Sequence, residues 1–176
     1  MNLVYINSAN GLSKAALETV TYAKKLGAEV AVITNGTASA DQLASLGAYG
    51  ASTVLQDSSV DGQDPSQLVK MVAAAAQKVG ASTIIFSHDL IGKAVAPRLS
   101  VRLKAGLVAG AVALPEANGS IKVNVFSGKA FGYVSVNSSV RIISLLPNSI
   151  QPEQTGSNCG VEAFDSQAGS SAITVK

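Results

Sequence analysis

The sequence has one cysteine, one histidine and no tryptophan, and aromatic residues make up only 5% of its 176 positions. The single thiol, Cys159, excludes an internal disulfide and a cysteine-built metal site. It is consistent with a reducing compartment, and a bacterial cytoplasm is the expected location. The single imidazole, His88, has no second ligand nearby at a metal-binding spacing. No Gly-x-Ser-x-Gly elbow accompanies it, so a nucleophilic triad has no local signature. Charge is scarce as well. Asp, Glu, Lys and Arg make up 14% of the chain, against roughly a quarter in typical soluble domains. The 13 basic and 11 acidic residues leave a net charge of +2. They form no basic block and no aromatic–basic interleaving, which argues against nucleic-acid binding. The longest apolar runs, such as Met71–Ala76, are too short to span a membrane. The residues after Met1 are already strand-like (Leu3-Val4-Tyr5-Ile6), so no leader or transit peptide is expected.

What remains is a chain of small and aliphatic residues, 47% apolar, long enough for one domain with a sizeable core. A surface of Ala, Ser, Gly, Asn and Gln fits either a face covered by another chain or a protein simply rich in small residues. Leu26-Gly27-Ala28, Leu46-Gly47-Ala48 and Val79-Gly80-Ala81 each follow a helical pattern and precede an apolar run. Glycine is the expected residue just past a helix end, because it tolerates positive φ. Three such joints predict alternating helices and strands around a parallel sheet.

The predicted strands are Leu3–Ile6, Glu29–Ile33, Thr53–Leu55, Thr83–Ser87 and Val108–Leu114, several of them continuous apolar runs suited to burial on both faces. The first helix is predicted over Ser13–Leu26, with Leu12, Ala15, Ala16, Thr19, Val20 and Ala23 on one face. Asp64-Pro65 is a helix start, an acidic N-cap followed by proline at the first helical position. That helix should end at Gly80, and a shorter one should cover Ala40–Leu46. After Leu107, Val123–Phe126, Phe131–Val136 and Arg141–Leu146 read as an antiparallel meander added to the sheet. From Gln151 the chain reads as a polar linker with one weak strand, Ala172–Val175. The expected organisation is therefore a domain over 1–150 and a linker or tail over 151–176.

The segment Ser87-His88-Asp89-Leu90-Ile91-Gly92-Lys93 follows a strand and precedes a helix, where α/β folds place ligands. It is not a phosphate loop: the first glycine of that motif is replaced by Ser87, and Lys93 is followed by Ala94 rather than a hydroxyl residue. A structural turn and a degenerate anion or nucleotide site are the readings left open. His88 reads as a turn or interface residue. Arg98 and Arg102 stand four apart on one helix face. They are either a solvated stripe or a docking contact, with Pro97 starting or kinking the helix beneath them. Cys159, in the polar tail, reads as an incidental thiol.

Three stretches, in this order, resemble the amino-terminal, flavin-free domain of electron transfer flavoprotein alpha subunits. The first is Leu3–Ile6 with its following helix and Leu26-Gly27-Ala28. The second is Gly92-Lys93-Ala94-Val95-Ala96-Pro97-Arg98-Leu99-Ser100-Val101-Arg102-Leu103. The third is Phe126-Ser127-Gly128-Lys129-Ala130 followed by Arg141–Ser149. The chain departs from the family pattern at Leu146, where arginine is usual before Pro147-Asn148, and at Val123-Asn124, where arginine-proline is usual before the glycine turn.

The resemblance implies an adenine-nucleotide-hydrolase-like, Rossmann-type α/β fold with an antiparallel extension and no catalytic, cofactor or metal residues of its own. FAD would be held by a second domain beyond residue 176. The implied partner is the beta subunit, in a heterodimer that carries electrons from acyl-CoA-type dehydrogenases of fatty acid oxidation to the respiratory chain. Arg98, Arg102, Lys129 and Arg141 are the expected partner contacts, and the strands around Phe126–Val136 and Arg141–Leu146 the expected association surface. The isolated domain is expected to self-associate through that surface. The alternatives are a nucleotide-binding domain of the universal-stress-protein type, which would need a late glycine-rich phosphate loop, and a small adenine-nucleotide hydrolase, which would need a clustered acid/base set.

Overall fold

The computed structural model describes residues 1–171 and 173. Among these residues the chain runs β1 (Asn2–Asn7), α1 (Lys14–Lys25), β2 (Val30–Asn35), α2 (Ala40–Ala44), β3 (Thr53–Asp57), α3 (Pro65–Val79), β4 (Thr83–Ser87), α4 (Leu90–Leu103), β5 (Gly106–Ala111), β6 (Ile121–Val125), β7 (Ala130–Val134), β8 (Arg141–Leu145) and β9 (Gly160–Ala163). The strands form one sheet in the order β7-β6-β5-β8-β4-β1-β2-β3-β9. From β5 to β9 every neighbour is parallel. Only β6 and β7 are antiparallel. This is the expected α/β architecture.

Alternation along the strands divides the core in two. Leu3, Tyr5, Ile84 and Phe86 pack beneath α3 and α4. Val4, Ile6, Val32 and Ile85 pack beneath α1 and α2. The helix limits follow local chemistry. Ser13 caps α1 by accepting from the Ala16 amide. Asp64 caps α3 ahead of Pro65, and Gly80 closes that helix in the left-handed region at φ 62°, where a Cβ would be costly. Gly47 departs from this rule. It lies inside a 3-10 turn over Ser45–Tyr49, and Gly50 supplies the left-handed cap. Gly47 is needed for close approach instead, because the backbone of Ser157 and Cys159 occupies the space a Cβ would take.

Two expectations are corrected. Arg141–Leu146 is not an edge of the meander: β8 inserts between β4 and β5 and is parallel to both. Its residues Ile142, Ile143 and Leu145 are buried, so it needs cover on both faces, which only an interior position provides. Its alternative reading came from sequence proximity to β7. The second correction concerns the tail. Residues 160–163 form β9, parallel to β3, and the approach to it is pinned. The Glu153 carboxylate meets the Lys25 ammonium at 2.6 Å, and the Thr155 amide donates to the Ala48 carbonyl at 2.7 Å. The weak strand expected over Ala172–Val175 lies outside the described residues apart from Ile173.

Candidate functional site

Two surface features stand out against this frame, an uncovered sheet edge and a cleft. The edge is β7. No strand pairs with its outer side among the described residues. Its Phe131 and Tyr133 are 57% and 58% exposed. Val125 and Val134 pack toward the α1/α2 side of the core. By alternation, Phe131 and Tyr133 point to the opposite face, beyond the reach of α3 and α4. The Lys122 ammonium sits 3.7 Å from the Phe131 ring centroid, a cation–π contact. At the hairpin tip, Phe126, Ser127 and Gly128 all adopt positive φ, at 51°, 54° and 84°. Phe126 is 80% exposed there. Side chains held in that region cost about 1–3 kcal/mol each and cluster at functional clamps.

The four cations expected to make contacts do not converge. Lys129 is exposed beside the strained tip. Arg98 and Arg102 are exposed on α4, where Arg98 donates to the Ala94 carbonyl at 2.5 Å. With Leu90, Pro97 and Val101, also exposed, they make a mixed apolar–basic stripe along the helix. Pro97 is inside α4 and does not start it. Its missing N–H falls on the exposed side of the helix, where the lost bond costs less than it would in the core. Arg141 is set apart from the other three. It is partly buried at the start of β8, and its Nε donates to Thr83 Oγ1 at 3.0 Å. It ties β8 to β4 in the interior of the sheet.

His88 and Asp89 occupy the β4–α4 turn. Asp89 caps α4 by accepting from the Gly92 amide at 2.8 Å, which is the structural-turn reading. His88 Nδ1 lies 2.8 Å from Ser144 Oγ. Its pKa is lowered by burial first and the Lys93 ammonium second, against a smaller opposing pull from Asp89. Among the described residues no group of three or more His, Cys, Asp or Glu could hold a metal ion. Cys159 is half-covered against Ala44, and burial pushes its thiol up. That raises the fraction in the inert thiol form.

Sequence reasoning missed Glu18. It is buried on α1, accepts from the Asn148 amide at 2.8 Å and lies 3.5 Å from the Lys14 ammonium. It thereby fixes the Pro147-Asn148 turn against the helix. A lone acid in an otherwise small and apolar helical segment was the available signal. The cleft was missed too. About 270 Å³ in volume, it opens between the ends of β1 and β4 and the starts of α1 and α4. The loop after the first strand of an α/β sheet is where such a crevice forms. The cleft does not fit a flavin dinucleotide: it is below the roughly 300–1,000 Å³ of pockets for drug-sized ligands, and among the described residues no lysine or arginine lines it.

The fold defines an α/β domain of Rossmann type with one exposed antiparallel hairpin. The electron transfer flavoprotein domain family matches residues 2–169, and the chain belongs to that family. It is similar to electron transfer flavoprotein subunit alpha of Bacillus subtilis (strain 168), 26% identical over 123 residues, which are 66% of this chain and 38% of that protein. It is also similar to a probable mitochondrial electron transfer flavoprotein subunit alpha of Caenorhabditis elegans. There the identity is 23% over 154 residues, 86% of this chain and 46% of the relative. The chain spans less than half the length of these curated relatives. Among the described residues no helix is long and apolar enough to cross a membrane.

Proposed function

We propose that this domain is the scaffold and subunit-docking module of an electron transfer flavoprotein alpha subunit. It carries out no bond-making step. It binds the beta subunit and positions a separate flavin-bearing domain. FAD is held by that other domain, and the assembled heterodimer relays electrons from acyl-CoA-type dehydrogenases toward the respiratory chain in the cytoplasm. The observation that carries the reading is the uncovered, aromatic β7 edge with its strained tip. A long edge strand in water is normally blunted by charge, proline or cover. Phe131 and Tyr133 provide none of these. Exposed aromatic anchors are the residues in which interface cores are enriched. The exposed α4 stripe of Arg98 and Arg102 would form the polar rim.

The test is to mix the 176-residue chain with the beta subunit of its own organism and measure complex formation by sedimentation. A one-to-one complex is expected, weakened at least tenfold by Phe131→Glu with Tyr133→Glu. Undiminished binding by that folded double variant would overturn the assignment of the edge. A stoichiometric flavin spectrum in the purified chain would overturn the placement of FAD elsewhere.

A further inference from the structure

Helix α4 is apolar on two faces. Val95, Ala96 and Leu99 point into the core. Leu90, Pro97 and Val101 point away from it, and Leu90 and Val101 are 83% and 80% exposed. With the half-buried Ala94 they succeed one another at four, three and four residues. That spacing keeps them on one line of an α-helix. Helices α1 and α3 are built differently. The exposed residues of α1 are Lys14, Lys24 and Lys25, and those of α3 are Ser66, Lys70, Gln77 and Lys78. A helix with one wet face needs one apolar stripe, and α4 carries two. Resting on the contact role given to Arg98 and Arg102 above, we propose that the outward stripe of α4 is the docking site for an acidic, amphipathic helix of a partner protein.

Charge identifies the occupant. Residues 90–152 hold seven of the 13 basic residues and one of the 11 acidic ones, Glu116. This segment therefore carries a net +6 and the rest of the chain −4. By helical spacing, Lys93 lies on one flank of the stripe and Arg98 and Arg102 on the other. All three are exposed, and among the described residues none forms an ion pair. On the neighbouring α3, by contrast, Lys78 already has Glu162 at 3.6 Å. Asp89, the acid nearest in sequence to the stripe, is committed to the helix cap at the Gly92 amide.

The stripe runs for three turns of helix, about 16 Å at 1.5 Å per residue, long enough to seat a second helix along it. Carboxylates at the flanking positions of that helix would meet Lys93, Arg98 and Arg102, while its apolar residues cover Leu90, Pro97 and Val101. A second copy of this same face is disfavoured as the occupant, because it would set cation against cation.

Fluorescence anisotropy on the 176-residue chain tests this with a labelled helical peptide of about five turns. The peptide carries leucine at alternating three- and four-residue steps and glutamate beside them. A control carries lysine in place of every glutamate, and thermal unfolding is run on every variant. The glutamate peptide is expected to bind at least about tenfold more tightly than the lysine peptide. Its affinity should fall about fivefold as ionic strength rises from about 0.05 to 0.3 M. Leu90→Gln with Val101→Gln puts a good helix former at two exposed positions. That variant should unfold at the parent temperature and lose at least about tenfold in affinity for the glutamate peptide. If it does not fold, Arg98→Gln with Arg102→Gln should weaken the glutamate peptide severalfold and leave the lysine peptide unchanged. Phe131→Ser with Tyr133→Ser removes the β7 aromatics without changing charge and should bind the peptide as the parent does. Loss of beta-subunit binding at the β7 edge and loss of peptide binding at α4 are thus read separately. Equal binding of the two peptides, undiminished binding by a folded α4 variant, or loss confined to the β7 variant would each overturn the proposal. Capture by phosphatidylcholine–phosphatidylserine vesicles without any peptide binding, the behaviour of a membrane contact, would overturn it as well.

Discussion

The two edges of the sheet are built in opposite ways. At the β9 edge the protein covers itself. The strand is four residues long, Glu162 faces Lys78 at 3.6 Å, and the chain then folds back over its neighbours. The Ser166 amide and hydroxyl both donate to Asp57, Lys70 Nζ donates to the Ala168 carbonyl at 3.0 Å, and the Ser171 hydroxyl donates to Asp64 at 2.8 Å. At the β7 edge nothing from the described chain returns. The hairpin joins β5 through a single residue pair in register, Ala111 with Val123, and one flanking bond from the Val112 amide to the Lys122 carbonyl. The contrast between one latched edge and one that presents aromatics is the basis of the docking role proposed for β7.

The largest expected effect comes from breaking the latch. Asp57 is buried and accepts from both Ser59 and Ser166. Burial pushes its carboxyl up, but the hydrogen bonds from Ser166 and Ser59 outweigh this and hold it below the ordinary carboxylate value. Hydrogen bonds to a charged group contribute about 1.5–3 kcal/mol each. Asp57→Ala should therefore cost about 3 kcal/mol in urea unfolding and expose the segment after β9 to proteolysis. The sign with pH follows. The folded value lies below the unfolded one, so the contribution is complete above about pH 4 and is lost as pH falls through the folded value. A stability profile that is flat in acid, or a tail no easier to cleave in the variant, would mean the latch is held by β9 alone.

A second way to sharpen the contrast is to set one arginine against two. Arg141→Ala removes the bond to Thr83 inside the sheet. It should cost about 1–2 kcal/mol of stability and leave affinity for the beta subunit intact. Arg98→Glu with Arg102→Glu should do the reverse, shifting stability by no more than about 0.5 kcal/mol while weakening the complex severalfold, as rim charges do. Equal affinities for the parent chain and the α4 variant would reduce the stripe to solvated charge.

The helical framework was legible because its punctuation is local. Asp64-Pro65, Ser13 and Gly80 each determine a helix end through their own backbone chemistry, and the structure places caps at all three. The buried strands were legible from unbroken apolar runs such as Thr83–Ser87. Strand order was not. Arg141–Leu145 carries the same apolar signal wherever it pairs, and its insertion beside β4 rests on contacts across more than fifty residues of sequence. The tail was illegible for a related reason. Its order comes from partners supplied by Asp57, Ala48 and Lys25, and a Gly-, Ser- and Asn-rich segment reads as linker when its partners are unknown. The hairpin edge was half legible: Phe131–Val136 was placed in the meander from its strand pattern, but Arg141–Leu146 was grouped with it by proximity alone.

Backbone amide exchange gives a smaller and more graded comparison. Amides along the outer side of β7 should exchange near the rate of an open chain, since no strand pairs there. The Val161 amide, in the β3–β9 pairing, should be protected by at least about 1.4 kcal/mol, a factor of ten. Adding the beta subunit should slow exchange at the β7 edge and leave the β9 edge as it was. Protection at β7 in dilute, monomeric protein would show that the edge is covered without a partner.

The smallest expected effect lies in the parallel interior that separates the two edges. The Gly110 amide donates to Ser144 Oγ at 3.2 Å, and His88 Nδ1 lies 2.8 Å from the same oxygen. Both groups thus meet at the one serine hydroxyl. Burial and Lys93 hold its pKa below the ordinary value. The unfolded chain therefore takes up the proton first, at about pH 6.5. The stability contributed by neutral His88 is complete above that pH and falls as pH drops toward the folded value. Thermal unfolding between pH 7.5 and 5 should show a decline of less than about 4 °C, the shift that roughly 1 kcal/mol produces in a domain of this size. Asp57 does not titrate in that window, so His88→Gln should abolish the decline. A decline that persists in His88→Gln would place its origin outside the β4–β8–β5 core.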